Sequence, residues 1–434
     1  MLYIVVSVLT VMIMGTVNVL FKNSTIAVSV LIITYTVIVL CIVNYDTVTS
    51  KHRSYLSFGL LLRVFLLYFD RYGKWIYHLP NSGADSEMFY QQSVMLATKG
   101  IATRKDGFIV LMGHVMKLVG TSRLLNQFIV VIFSFLSLVF IGLALEEISL
   151  KPMIKSRIMM VVCLLPNYAI LGSIFLRESI VAMFVAISCY FFVVWFNQKL
   201  EIYYLLAIIC SFAGAYFHTG AIGLAFGYIA IRFLYDNATN KIHITSVNVL
   251  ITILLVLSLS FIFNNYGQTF LSKMAGVENI EDIANTLELG GSSYARYVGN
   301  SNSIGNMIIY TPLRIVYFLF SPFPWQWRGI ADIIAFFFSS LYFLYILAHS
   351  ISYLINTTNN EQKNKQILIM ILTMAVVFVY SWGVSNTGTA ARHRDKLVPI
   401  FAVLWAYSSG SFNYYRGVDK LIKTESSNRY RYIR

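Results

Sequence analysis

The chain has 434 residues, of which 58% are hydrophobic and 12% charged, with a formal net charge of +14 and a mean hydropathy of +0.69. Soluble domains carry about twice that charge fraction, and no polar run here is long enough to fold alone, so the composition excludes an ordinary soluble enzyme. The positive excess suits cytoplasmic loops beside anionic headgroups. With no basic, aromatic-interleaved domain, it does not make nucleic acid a partner.

Apolar stretches fit to span, or nearly so, run in chain order at 2–20, 26–44, 55–72, 124–145, 157–175, 179–196, 203–217, 219–235, 246–264, 330–354, 366–384 and 397–411. The first lacks a basic leader region and reads as a retained helix. The four cysteines (Cys41, Cys163, Cys189, Cys210) all lie in apolar segments without metal-ligand spacing and read as small packing residues. The expected fold is an all-α polytopic membrane protein of about twelve transmembrane helices. Residues 1–415 form its single multi-pass domain, and 416–434 a basic cytoplasmic tail.

The positive-inside rule orders these spans. Lys51–Arg53, Lys151–Arg157, Lys199, Lys241–His243, Lys363–Lys365 and the tail from Arg416 to Arg434 all fall on one side if both termini are cytoplasmic. That arrangement requires 107–120 and 304–320 to be interfacial or re-entrant. "GFIVLMGHVMKLVG" (107–120) is short, and His114 and Lys117 interrupt it, as in a helix lying at the outer interface. The outer face then collects loops 73–123 and 265–329, the turns at Arg177 and His218, and "SNTGTAARHRDK" (385–396).

The chemistry-bearing residues gather on that face. "HLPNSGADSEMFYQQS" (78–93) puts Asp85 and Glu87 on a loop after Gly83, with Tyr90 behind; a carboxylate there suits a general base or a metal ligand. "FDRYGKW" just upstream adds Asp70 and Arg71. In "LGSIFLRESIVAMF" (171–184), Arg177 and Glu178 sit between two apolar helices, where charge is costly enough to imply use and an Arg fork matches diphosphate oxygens. His218 in "AYFHTGAIGLAFG" stands at another junction, as a structural hydrogen-bonding residue or as a donor or base. "AARHRDKLVPIF" holds Arg392, His393, Arg394, Asp395 and Lys396 just before the last span, with two arginines at a helix start as a pyrophosphate site. The loop 265–303 has the length of a lid. "FSPFPWQWRG" (320–329) reads mainly as interfacial Trp. Walker A, HExxH and GxSxG patterns are absent.

"GADSEMFY", "LRESI", "FHTGAI" and "ARHRDKLVP", in this order and on one side, resemble the bacterial polysaccharide polymerases of O-antigen, capsule and exopolysaccharide pathways, the Wzy-type and EpsG-like proteins. The resemblance covers roughly residues 60–410. It implies a GT-C-like glycosyltransferase at the outer face of the bacterial cytoplasmic membrane. The enzyme would move a glycan from an undecaprenyl-pyrophosphate donor onto a lipid-linked repeat unit. Arg177, Arg392 and Arg394 would hold the pyrophosphate, with Glu178, Arg71 and Tyr90 around the substrate, and Asp85 or His218 would take the acceptor proton. It implies a chain-length regulator and a flippase as partners and no required cofactor, with arginines in place of a divalent metal. The run of five charged residues at 392–396 departs from the family's cleaner Arg-Tyr pattern and leaves the critical arginine open. The alternatives are a ligase or other lipid-linked-sugar transferase, and a lipid-oligosaccharide flippase or transporter.

Overall fold

The fold comes from a computed structural model, which describes residues 2–20, 25–43, 50–103, 106–236, 239–242, 245, 248, 250, 293–294 and 304–410. Most of the expected span 246–264, His243, most of the loop 265–303 (with Glu278, Glu281, Asp282, Glu288 and Arg296) and the basic tail lie outside the described residues.

The regular structure of the described residues is helical apart from one two-residue hairpin, Tyr235–Asp236 against Lys241–Ile242, and a single antiparallel bridge between Ser293 and Asn386. In order the helices are α1 (Leu2–Leu20), α2 (Thr25–Val43), α3 (Ser50–Tyr72), α4 (Ala84–Lys99), α5 (Gly107–Val119), α6 (Arg123–Glu147), α7 (Pro152–Leu164), α8 (Pro166–Leu171), α9 (Glu178–Gln198), α10 (Glu201–Phe217) and α11 (Ile222–Leu234). After the undescribed stretch come α12 (Ile304–Phe320), α13 (Ile330–Ile334), α14 (Leu341–Asn356), α15 (Asn360–Trp382), α16 (Thr387–Asp395) and α17 (Val398–Ser408). Among the described residues, four helical stretches are long and apolar enough to cross a membrane: Arg123–Glu147, Glu178–Gln198, Ile330–Asn356 and Asn360–Trp382, with shorter apolar helices beside them. On α2 the exposed residues Ile26, Val30, Ile33, Val37 and Leu40 form one stripe. An apolar stripe left bare on a helix face suits hydrocarbon and is a liability in water.

α6 and α9 form the centre, and α17 closes on them; all eleven residues of α17 are buried. A mid-helix charge, Arg63 of α3, also helps tie this centre together. Its Nε donates to Ser134 Oγ at 2.7 Å, its Nη1 donates to the carbonyls of Gly59 (3.1 Å) and Cys163 (3.3 Å), and its guanidinium lies over the Tyr168 ring.

Three expected elements differ. The stretch 157–175 is not one span, because Pro166 removes an N–H and drives Leu165 out of the helical region, splitting it into α7 and the six-residue α8. The chain after α8 then passes so close to α6 that a Cβ at Gly172 would overlap the Ser134 side chain. Residues 84–99 are helix where a loop was expected, so Asp85 and Glu87 sit in the first turn of α4, favourable to its dipole. Arg392 and Arg394 do not start the last span. Asn386 accepts from Gly388 N and Thr389 N and begins a separate helix earlier, which puts both arginines in the last turn of α16.

The loops sort to two ends. At one, Glu146 of α6 meets His52 at 2.8 Å and Lys155 at 2.9 Å, and Asn364 donates to the Asn240 carbonyl. The other end of α6, about 36 Å away by helical rise, holds Arg123 and a cluster of interleaved cations and carboxylates.

Candidate functional site

Arg177 and Glu178 stand where the turn after α8 enters α9, Glu178 being the first residue of that helix. The Glu178 side chain is 2% exposed, and its Oε1 accepts from Arg392 twice, Nη2 at 2.8 Å and Nε at 3.1 Å. Lys396 Nζ lies 3.5 Å from the same oxygen. The remaining arm of Arg392, Nη1, reaches Asp85 Oδ2 at 2.5 Å, and that carboxylate is 57% exposed. Arg177 Nη1 meets Asp106 Oδ2 at 2.5 Å, while Asp106 also caps α5 by accepting from Phe108 N. Three cations and three carboxylates from α4, α5, α9 and α16 with its flanking turn are thus interleaved at one end of the bundle.

Burial works against the charge on Arg392, but Glu178 and Asp85 more than offset it and hold the guanidinium's pKa above its usual value. The Lys396 ammonium is pushed down to about 7, by burial first and then by Arg177 and Arg392, with Glu178 opposing. His218 and His393 pack edge to face, ring centroids 4.4 Å apart, with Tyr380 stacked on His218. Burial and the neighbouring Lys396 hold both imidazoles well below their ordinary pKa. His218 Nδ1 accepts from Gly220 N at 3.3 Å, which leaves the ring proton on Nε2. His218 therefore faces its surroundings as a donor.

The expected site residues divide into two groups. Asp85, Arg177, Glu178 and Arg392 come together from segments more than 300 positions apart, and His218 lies against the same α16. Arg394 does not join them. It is fully buried and points the other way, donating to Ser339 Oγ (2.9 Å) and to the carbonyls of Leu319 (3.0 Å), Ala335 (3.3 Å) and Ser321. Those acceptors end α12 and line the wide helical turn Ala335–Ser340. Tyr90 is equally occupied: its hydroxyl donates to the Thr121 carbonyl at 2.6 Å, and Arg123 lies 4.4 Å over its ring. Arg71 is near enough for its charge to act on Tyr90, so it belongs to this Arg123 corner, with Glu87, which bonds Arg123 and Lys74.

These assignments make two predictions. Arg394→Met should destabilise the protein by about 3–5 kcal/mol, since it strips the charge beside buried Asp395 and leaves carbonyls unpaired; thermal unfolding in detergent measures this. Tyr90→Phe should cost about 1 kcal/mol for one lost hydrogen bond in the same assay, with the Arg392 cluster unaffected.

Sequence reading missed Asp106 and Arg123 as parts of this region, and it named His393 and Lys396 only as members of the charged run, without a role for either. Asp106 carried one usable signal, an Asp directly before a helical segment, the position of an N-cap. Tyr294 was also missed: its N–H donates to Ser385 O at 2.8 Å and its hydroxyl to Val384 O, tying the described residues of the long loop to the approach to α16. Comparison with protein-family models, with curated proteins and with solved structures gives no match.

Proposed function

We propose that the chain is a glycosyltransferase of the bacterial cytoplasmic membrane, with about twelve spans and a GT-C-like plan, that polymerises polysaccharide from undecaprenyl-pyrophosphate-linked units. The observation that carries this reading is the Arg392 fork, buried against Glu178 on one side and engaged by an exposed, displaceable carboxylate, Asp85, on the other. A guanidinium held this way presents parallel N–H groups to an anion arriving from solvent.

In this mechanism the donor pyrophosphate takes the place of Asp85 on Arg392, with Arg177 beside it. The freed Asp85 accepts the proton of the acceptor hydroxyl as that oxygen attacks the anomeric carbon. The bond from that carbon to the pyrophosphate oxygen breaks, and the charge that develops on the leaving group falls to Arg392 and Arg177. His218 supplies a neutral donor from Nε2 at the edge of the cluster. The grouping of the cation-rich loops at the far end of α6 supports placing that end in the cytoplasm and the Arg392 cluster outside.

The test is purified protein in lipid with undecaprenyl-pyrophosphate-linked repeat units. A glycan ladder supports the polymerase; addition of a single block supports the ligase instead. Movement of the lipid between leaflets without transfer overturns both in favour of a transporter.

A further inference from the structure

Glu178 Oε1 is shared. Arg392 takes it with two N–H groups, and Lys396, one turn on, sits 3.5 Å away with no hydrogen-bond partner for Nζ. The Lys396 side chain is 1% exposed, so its ammonium has almost no bulk water to solvate it. What it has is a cavity of about 10 Å³ lined by Glu178, Asp395, Lys396, Ser134, Ser179 and Tyr168, about the room of one water. Glu178 Oε2 and Asp395 Oδ2 are also buried without a partner. One water in that cavity would accept from Nζ and donate to the two carboxylate oxygens, which matches the donors and acceptors left over.

We infer that Lys396 is a positioning residue for the anion site: when charged it holds Glu178 from below and adds a third positive charge, and when neutral it withdraws both. This rests on the reading of Arg392 as an anion site and extends it to a residue that does not touch the substrate. The groups facing Lys396 are Glu178 and Arg177 at the start of α9, Arg392, His393 and Asp395 on α16, Tyr380 on α15, and His218 at the end of α10. The Arg392 guanidinium stays charged beside Glu178 and Asp85, and burial keeps the two imidazoles neutral near neutrality. Asp395, raised to about 6 by burial, is already mostly ionised at about pH 7. Lys396 is then the group in this set that changes charge between about pH 7 and about pH 9.

The sign follows. Lys396 is charged below its lowered pKa and loses its proton above it, so anion affinity falls as pH rises. Inorganic pyrophosphate itself gains negative charge over this range, which alone would strengthen binding.

Titrating inorganic pyrophosphate into the full-length protein in neutral-lipid nanodiscs tests the inference. The wild type should bind about tenfold more weakly at about pH 9 than at about pH 7. Lys396→Arg should keep tight binding throughout, and Lys396→Met should bind weakly throughout. A wild-type slope retained in both variants overturns the role of Lys396 while leaving the anion site standing. No binding by the wild type at any pH overturns the anion site and this inference together. If neither variant folds, the wild-type profile decides alone, and an affinity that is flat or rises with pH overturns the inference.

Discussion

Replacing Arg392 with alanine is expected to lower glycan transfer by about 100- to 1,000-fold, the usual loss when one preorganised donor to a developing oxyanion is removed. The protein should still fold. Below about pH 7, where Lys396 is charged, Glu178 keeps that cation at 3.5 Å, and Asp85 is already largely in solvent, so no carboxylate is left buried without a cation. Arg392→Lys should recover only part of the activity. The three donors of an ammonium radiate from one point, so it lacks the planar fork by which Arg392 holds Glu178 with Nε and Nη2 and still presents Nη1 to an anion. Steady-state kinetics with the lipid-linked donor check both variants, the alanine loss falling on kcat and on donor KM. Transfer within threefold of wild type would remove Arg392 from the site.

Asp85→Asn should move two quantities in opposite directions. Transfer should fall by about 100- to 10,000-fold, the range for loss of a general base. Pyrophosphate binding should stay the same or tighten, because Arg392 loses the ionic competitor now 2.5 Å from its Nη1. A purely structural Asp85 predicts the reverse pattern, with pyrophosphate binding weakened as α4 comes away from α16 and the single-turnover step unchanged at saturating donor. Parallel measurement of pyrophosphate affinity and single-turnover transfer separates the two. Weaker binding with unchanged chemistry would discard Asp85 as the base and leave it as a tether.

Arg392 and Arg394 show where sequence reading stops. They stand two apart in a run of five charged residues, and their composition and spacing gave them equal claims on a pyrophosphate. On a helix, residues two apart point to different faces. Asn386 starts α16, so its cap sets which face each arginine takes: Arg392 toward Glu178 and Asp85, Arg394 into the carbonyls at the end of α12. Tyr90 met a similar limit, since its spacing from Asp85 put it beside the acid in sequence while its hydroxyl is held by Thr121, 31 residues on.

The sequence by itself determined the helical class and the apolar stretches, because hydrophobic length and the cost of burying charge are local properties. It also marked most of the exceptional charges, since Arg177, Glu178 and His218 stand out against apolar neighbours. The tertiary structure alone decided which charges meet. Glu178 and Arg392 lie 214 positions apart and Asp85 and Arg392 lie 307 apart, and such pairing depends on how α9 packs on α6 and how α16 is capped. It also decided that Lys396 is buried under the cluster, because the charge of a lysine is written in the sequence but its solvation is set by what folds around it.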